Sequence, residues 1–239
     1  MIKIQQKRIM TFCDVIRALV PECRLIIGQD VLNILAVDTA NVAMVNINLP
    51  KAQCEEFTDE EPCEIGMDVD KWKQAPKIMK DDVPITITRG AGKIVFSDGK
   101  YTYTHVPLDP TTVRKRPNPP TINLPASVVI DAKEYNETIK AMGIIGDKVR
   151  VTIRGKTLEL STEGDTDLIQ KEIESQDNKE NTGVVSSLFS LDYLKETAKA
   201  MKDAGTLTIH AAQDHPIRFD FDIDGMEASF IIAPRIEAD

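Results

Sequence analysis

The chain of 239 residues contains no run of about 18 apolar residues, so nothing in it reads as a membrane-spanning helix. Its first residues, Met1-Ile2-Lys3-Ile4-Gln5-Gln6, lack the apolar stretch of a secretory signal, and a cytoplasmic protein is expected. Cysteine is scarce, and Cys13, Cys23, Cys54 and Cys63 all fall in the first half, so reduced thiols are expected rather than a disulfide framework. Histidine is scarcer still: His105, His210 and His215 show no metal-ligand spacing. No Gly-x-x-x-x-Gly-Lys-Ser/Thr loop occurs, and Gly90-Ala91-Gly92 lacks the further glycine and following helix of a dinucleotide site. Asp38 follows a strand-like Ile34-Leu35-Ala36-Val37 with no readable second carboxylate or base. These absences point away from an enzyme and imply no catalytic residue, metal or cofactor. A binding protein is expected.

What is present is a repeat. Asp70-Lys71-Trp72-Lys73-Gln74-Ala75-Pro76-Lys77-Ile78-Met79-Lys80-Asp81 returns 122 residues later as Asp192-Tyr193-Leu194-Lys195-Glu196-Thr197-Ala198-Lys199-Ala200-Met201-Lys202-Asp203. Lysines recur at i, i+4 and i+7 in both copies, which places them on one helical face. Beside them runs an apolar stripe, Val69, Trp72, Pro76, Met79 and Leu191, Leu194, Ala198, Met201, that can face a core. Strands follow at the same offset, Ile85-Thr86-Ile87 and Leu207-Thr208-Ile209, and an earlier helix repeats as Asp14–Leu19 and Glu137–Met142. Each half therefore reads as helix, strands, helix, strands, and is the size of one small domain.

Net charge is −9, which by itself argues against a polyanion as partner. The acid, however, is concentrated in apparent loops, Glu55–Glu61 and Glu172–Glu180, whereas the cations sit on the repeated helices. Only the local field meets a ligand, so a basic face on an acidic protein is expected. Between the halves, Pro107 through Pro120 holds five prolines and should form an extended surface crossover. Val149–Ile153, Leu158–Leu160 and Ile217–Phe221 alternate as strands, with turns at Gly155-Lys156, Gly90–Gly92 and Asp98-Gly99.

Two segments carry a resemblance. Ala36-Val37-Asp38-Thr39-Ala40-Asn41-Val42-Ala43-Met44-Val45 resembles the Met-Asp-x-x-x-Val segment of sliding clamps of the proliferating cell nuclear antigen family. Ile232-Ala233-Pro234-Arg235-Ile236-Glu237 is similar to that family's Leu-Ala-Pro-Lys/Arg-Ile/Val-Glu ending, and the archaeal branch is nearest in flavour. The resemblance runs over essentially the whole chain. It implies an α+β clamp fold with two topologically similar domains, each with two helices on antiparallel sheets. Expected boundaries are 1–112, a connector at 113–123, and 124–239. It further implies a homotrimeric ring around duplex DNA, gripped without sequence preference, that tethers DNA polymerase, clamp loader, nuclease and ligase through short docking peptides in a nucleoid-associated setting.

On that reading the phosphate-facing cations are Arg17, Lys73, Lys77 and Lys80, with Lys133, Lys140, Lys195, Lys199 and Lys202 in the second half. The docking groove carries over to Val37, Met44, Ile122, Leu124, Pro216, Ile231, Ala233 and Pro234, and would receive a Gln-x-x-aliphatic-x-x-aromatic-aromatic peptide. Subunits would join through unpaired edges bearing Tyr101, Tyr103, His105 and Ile169, Lys171, Ile173, with Tyr103→Pro expected to remove an edge donor. Three features depart from the pattern: Pro76 near the middle of a helix capped by Asp70, Arg114-Lys115-Arg116 where family linkers are usually acidic, and Met10 where the second copy has Lys133. Two other classes compete, a non-replicative clamp of a heterotrimer and a small metal enzyme built on Asp38.

Overall fold

The computed structural model describes residues 1–58, 62–79 and 83–236. The chain forms two compact units. The first comprises Met1–Thr39, Val45–Asn118 and Asp224–Ala228; the second comprises Ala40–Met44, Pro119–Ile223 and Ser229–Asp239. Compared with boundaries drawn at 112 and 124, each unit takes one short segment from the other half of the sequence. Packing, not chain order, assigns those segments.

The first unit begins with β1 (Ile2–Gln5), α1 (Gln6–Arg17), β2 (Glu22–Ile27), β3 (Val31–Val37) and β4 (Ala43–Pro50). It continues with β5 (Glu56–Phe57), β6 (Cys63–Asp68), α2 (Val69–Ile78), β7 (Pro84–Gly90), β8 (Lys93–Ser97) and β9 (Thr102–His105). An antiparallel sheet runs β5-β1-β7-β8-β9, with β9 at its edge. β2 lies between β3 and β6. α1 packs on α2, and Ile9, Phe12, Cys13, Ile16, Trp72 and Ala75 are buried. Trp72 meets Phe96 edge-on at 5.1 Å between centroids.

The second unit repeats the plan with β10 (Ala126–Asp131), α3 (Ala132–Met142), β11 (Lys148–Arg154), β12 (Thr157–Glu163) and β13 (Leu168–Glu174). β14 (Val184–Ser190), α4 (Leu191–Met201), β15 (Thr206–Ala211), β16 (Ile217–Ile223) and β17 (Met226–Ile232) complete it. One sheet runs β13-β12-β11-β14, with β13 at its edge, and β15 pairs with β10 and β16. α3 packs on α4 over Tyr135, Ile139, Leu194 and Ala198, and Tyr135 approaches Phe219 at 5.5 Å.

Helix α2 differs from its expectation in two ways. Its cap is Asp68, whose carboxylate accepts the Lys71 amide at 3.0 Å; Asp70 lies inside the first turn. Pro76 neither delays nor divides the helix, because only two helical residues follow it. The missing amide costs one bond, to the Trp72 carbonyl, in a turn that is already ending. Lys80 lies outside the described residues, as do Asp59–Glu61 of the acidic stretch.

The crossover is pinned rather than loosely extended. A turn closes at Asp109–Thr112, where the Thr112 amide reaches the Asp109 carbonyl at 3.0 Å, and Val113 is buried. Leu108 bridges Gly66 so closely that a Cβ at position 66 would lie 2.4 Å from the Leu108 carbonyl oxygen, so only glycine fits there. Glu172 and Glu174, expected in a loop, belong to β13.

Candidate nucleic-acid interface, subunit edges and docking surface

The helix cations fall into two groups. In the first unit Arg17 at the end of α1 donates to Asp70 of α2 at 3.2 Å, and Lys73 of α2 pairs with Asp14 of α1. Lys77 is exposed and has no ion pair among the described residues. In the second unit Lys133, Lys140 and Lys199 are exposed, again with no ion pair among the described residues. Lys195 donates to the Gly143 carbonyl at 3.4 Å, at the C-terminal end of α3, where helix carbonyls favour a cation. Lys202 follows α4 in helical geometry, 3.8 Å from Asp203. The stripe of three lysines is therefore carried along α4, while in α2 its described part stops at Lys77.

Both expected subunit edges are sheet edges, and the hydrogen-bond alternation along each ladder fixes which backbone groups are free. In the β8–β9 hairpin the Asp98 amide donates to the Tyr101 carbonyl, so Asp98–Tyr101 is a bonded pair. Pairs alternate in an antiparallel ladder, which makes Phe96–Tyr103 and Ile94–His105 bonded as well. The outward-facing backbone groups of β9 then belong to Thr102 and Thr104. On β13 the Gly164 amide donates to Asp167 and the Ser175 amide to Lys156, and the same count leaves Leu168, Gln170, Glu172 and Glu174 facing outward. Proline at Tyr103 would thus break the β8–β9 ladder rather than blunt the edge; Thr104 is the position that tests it. Pattern alternation alone could not assign this, because it gives side-chain faces and not ladder phase.

The expected edge side chains turn inward in part. Tyr103 and His105 stack in a row with Phe96, and the Tyr103 hydroxyl donates to Gln74 of α2 at 3.0 Å. Burial raises the Tyr103 hydroxyl above its ordinary pKa. Ile173 is buried, Ile169 half-buried, and Lys171 pairs with Glu134 of α3 at 3.1 Å. Tyr101, Val106 and Leu168, at the ends of the two edges, are large apolar groups left more than half exposed.

All eight residues assigned to the docking groove are half-buried, as apolar groups that form a partly open surface should be. In the second unit, the Ala233 amide donates to the Val42 carbonyl at 2.8 Å, which fixes Ala233 and Pro234 next to the segment bearing Met44. The Arg235 amide donates to Leu188 at 2.7 Å, and its guanidinium donates to Asp147 at 2.8 Å. That hydrogen bond holds the Asp147 carboxyl below the usual carboxylate range. Leu124 enters β10 two residues on, and Pro216 enters β16.

Among the described residues the remaining titratable groups do not assemble a reactive centre. Among the described residues no three His, Cys, Asp or Glu side chains are grouped to hold a metal. The four cysteines are free thiols, and burial pushes Cys23 up to about 12 and Cys54 to about 11, the opposite of activation. Asp38 is buried. No helix among the described residues is long and apolar enough to cross a membrane.

Comparison with known proteins agrees with this geometry. The fold matches a solved structure described as the C-terminal region of FEN-1 bound to A. fulgidus PCNA, at TM-score 0.92 and 31% identity over 100% of this chain and 99% of that one. PCNA of Thermococcus kodakaraensis has the same fold at TM-score 0.87 and 17% identity, over 98% of this chain and 99% of that one. The two-unit α+β arrangement is thus that of a DNA clamp. Residues 119–236 match the model for the C-terminal domain of proliferating cell nuclear antigen. The DNA polymerase sliding clamp of Methanoregula boonei is 42% identical over 233 residues, covering 95% of this chain and 94% of that protein. The chain belongs to the proliferating cell nuclear antigen family of DNA polymerase sliding clamps, which are processivity factors and not enzymes.

Proposed function

We propose that three copies of this chain close into a ring around duplex DNA and tether replication and repair factors in the cytoplasm, at the nucleoid. The observation that carries the reading is that each unit ends in an unpaired antiparallel edge, β9 in one and β13 in the other. The two edges differ in sequence and length, so joining them between copies is a heterologous, head-to-tail contact, the type that generates rings. It would also satisfy backbone groups that otherwise invite aggregation. Cations on α2, α3 and α4 meet phosphates without reading bases, which permits sliding. Polymerase, clamp loader, nuclease and ligase dock by short peptides on the groove of Val37, Met44, Ile122, Leu124, Pro216, Ile231, Ala233 and Pro234. The solved A. fulgidus relative, with a FEN-1 C-terminal region bound, supports peptide docking of this kind.

Light scattering across concentration tests the ring: a mass of about three chains is expected, and a protein still monomeric at high micromolar concentration overturns it. Assembly only upon mixing with a second clamp chain would select the heterotrimer instead. For the groove, Met44→Ala with Ile231→Ala should weaken a Gln-x-x-aliphatic-x-x-aromatic-aromatic peptide at least tenfold with the mass unchanged, since one buried anchor is typically worth about 2 kcal/mol. Wild-type affinity in calorimetry would move the groove elsewhere.

A further inference from the structure

Arg114, Lys115 and Arg116 have no part in the function just described. They are three consecutive exposed cations in a chain of net charge −9. The structure holds them in place. The Val113 carbonyl accepts from Arg24 Nε and Nη2 at 3.2 and 2.9 Å, which anchors the start of the run. Arg114 Nη1 donates at 2.7 Å to the carbonyl of Asp38, the residue that follows Val37 of the groove. Arg116 Nη1 donates to the Asn33 side-chain oxygen on β3. Asn33 is itself fixed, because its Nδ2 donates to the Asn46 and Asn48 side-chain oxygens at 3.1 and 2.6 Å.

The anchor of Arg116 is a neutral amide, so it positions that guanidinium without neutralising it. Among the described residues Lys115 makes no hydrogen bond or ion pair, and Arg116 pairs with no carboxylate. Nearby acids are engaged elsewhere: Glu64 with Arg24 at 3.0 Å, and Asp109 with the Thr111 amide and hydroxyl, both at 2.8 Å. From Arg116 the chain reaches the groove residue Ile122 in six residues, a span of at most about 20 Å. A docking peptide of eight residues is longer than that when extended, at roughly 26 Å. Residues flanking its motif therefore come within reach of an uncompensated double charge.

We propose that Lys115 and Arg116 are specificity residues that select docking peptides with acidic residues beside the motif. The proposal rests on the groove described above. The occupant is an acidic peptide rather than DNA, because the run borders Val37 of the groove on the connector, whereas the cations offered to phosphate lie on the helices.

Calorimetry with three peptides that share one docking motif tests this, with Asp-Glu-Asp, Ser-Gly-Ser or Lys-Arg-Lys on both sides of it. At about 50 mM salt, affinity should fall in the order acidic, neutral, basic by roughly threefold per step, the scale of exposed ion pairs. The steps should close at about 1 M salt, where screening acts over about 3 Å. Lys115→Glu should flatten or invert the order and leave the neutral peptide's affinity unchanged; Arg116→Gln should shrink the steps. Equal affinities on the wild type overturn the selectivity alone. If none of the three peptides binds, the groove falls and the selectivity with it. A weaker salt dependence of duplex binding in Lys115→Glu would assign the run to DNA and overturn the proposal.

Discussion

The helix pairs of the two units carry equivalent charges at equivalent repeat positions and use them differently. Arg17 and Asp70 correspond to Lys140 and Asp192, and Lys73 and Asp14 correspond to Lys195 and Glu137. In the first unit both combinations are cross-helix ion pairs. In the second neither forms: Lys140 is exposed with no ion pair among the described residues, and Lys195 lies across Gly143. Glycine explains the divergence, because a Cβ at position 143 would sit 2.1 Å from Lys195 Cε. The equivalent position in the first unit is Val20, which is buried. The glycine at the end of α3 thus makes room for a cation whose counterpart in the first unit pairs across the helices. A repeated charge pattern does not guarantee a repeated field.

The comparison can be broken most severely at the edges. β9 offers four residues and β13 seven, so the shorter strand has less ladder to lose. Thr104→Pro should abolish self-association while far-UV circular dichroism stays native, since its amide faces outward. Tyr103→Pro should instead lower the melting temperature as well, because that amide bonds β8. Equal melting temperatures for the two variants would show that the ladder phase is wrong.

The next largest effect compares α2 with α4. Ala198 is the repeat equivalent of Pro76, but α4 runs three residues beyond it. Ala198→Pro should cost about 3 kcal/mol in denaturant unfolding, whereas Pro76→Ala should change stability by less than about 1 kcal/mol. Similar values for both would mean that helix length does not set the tolerance.

The charge comparison itself is sharpened by salt titration of duplex binding. Replacing Lys133, Lys140 and Lys199 with Ala should flatten the slope of log affinity against log salt by about 0.9 for each phosphate contact removed. Replacing Arg17 and Lys73 should flatten it less, because those cations are already paired with Asp70 and Asp14. An equal loss per cation would show that the internal pairs open on DNA.

The smallest effect lies in the C-terminal segment. Asp147→Asn removes the carboxylate that holds Arg235 and should weaken docking-peptide affinity by about twofold to threefold, the scale of an exposed pair. The same loss should appear in the wild type on acidification. The Asp147 pKa is lowered in the folded state, so its contribution is full above the ordinary carboxylate pKa and fades as pH falls through the lowered value. No change in either experiment would detach Asp147 from the groove.

Much of this protein was legible in its residues. The 122-residue repeat located α2 and α4 and the strands after them, because amphipathic period and strand alternation are local properties that survive without a partner. The residues assigned to a groove followed from the resemblance and are half-buried, and β9 and β13 are sheet edges. What sequence could not supply were quantities set by backbone geometry rather than by residue type. Ladder phase depends on which amide of a hairpin closes the turn, here Asp98 to Tyr101 and Gly164 to Asp167. The true cap of α2 is Asp68 rather than Asp70, two residues apart and alike in chemistry, separated only by where the helix starts against β6. The basic connector reads as free charge in sequence, yet Arg24, Asp38 and Asn33 fix it in space.

Sequence by itself determined the periodicities, the duplication, the placement of cations on helices and the membership of a family, all of which are carried by residue identity and spacing. Tertiary structure alone decided which cations remain unpaired, which backbone groups of β9 and β13 face outward, and which short segments join each unit. Those outcomes depend on packing geometry at the ångström scale, where the room left by a glycine or a shift of one residue in ladder phase changes the result.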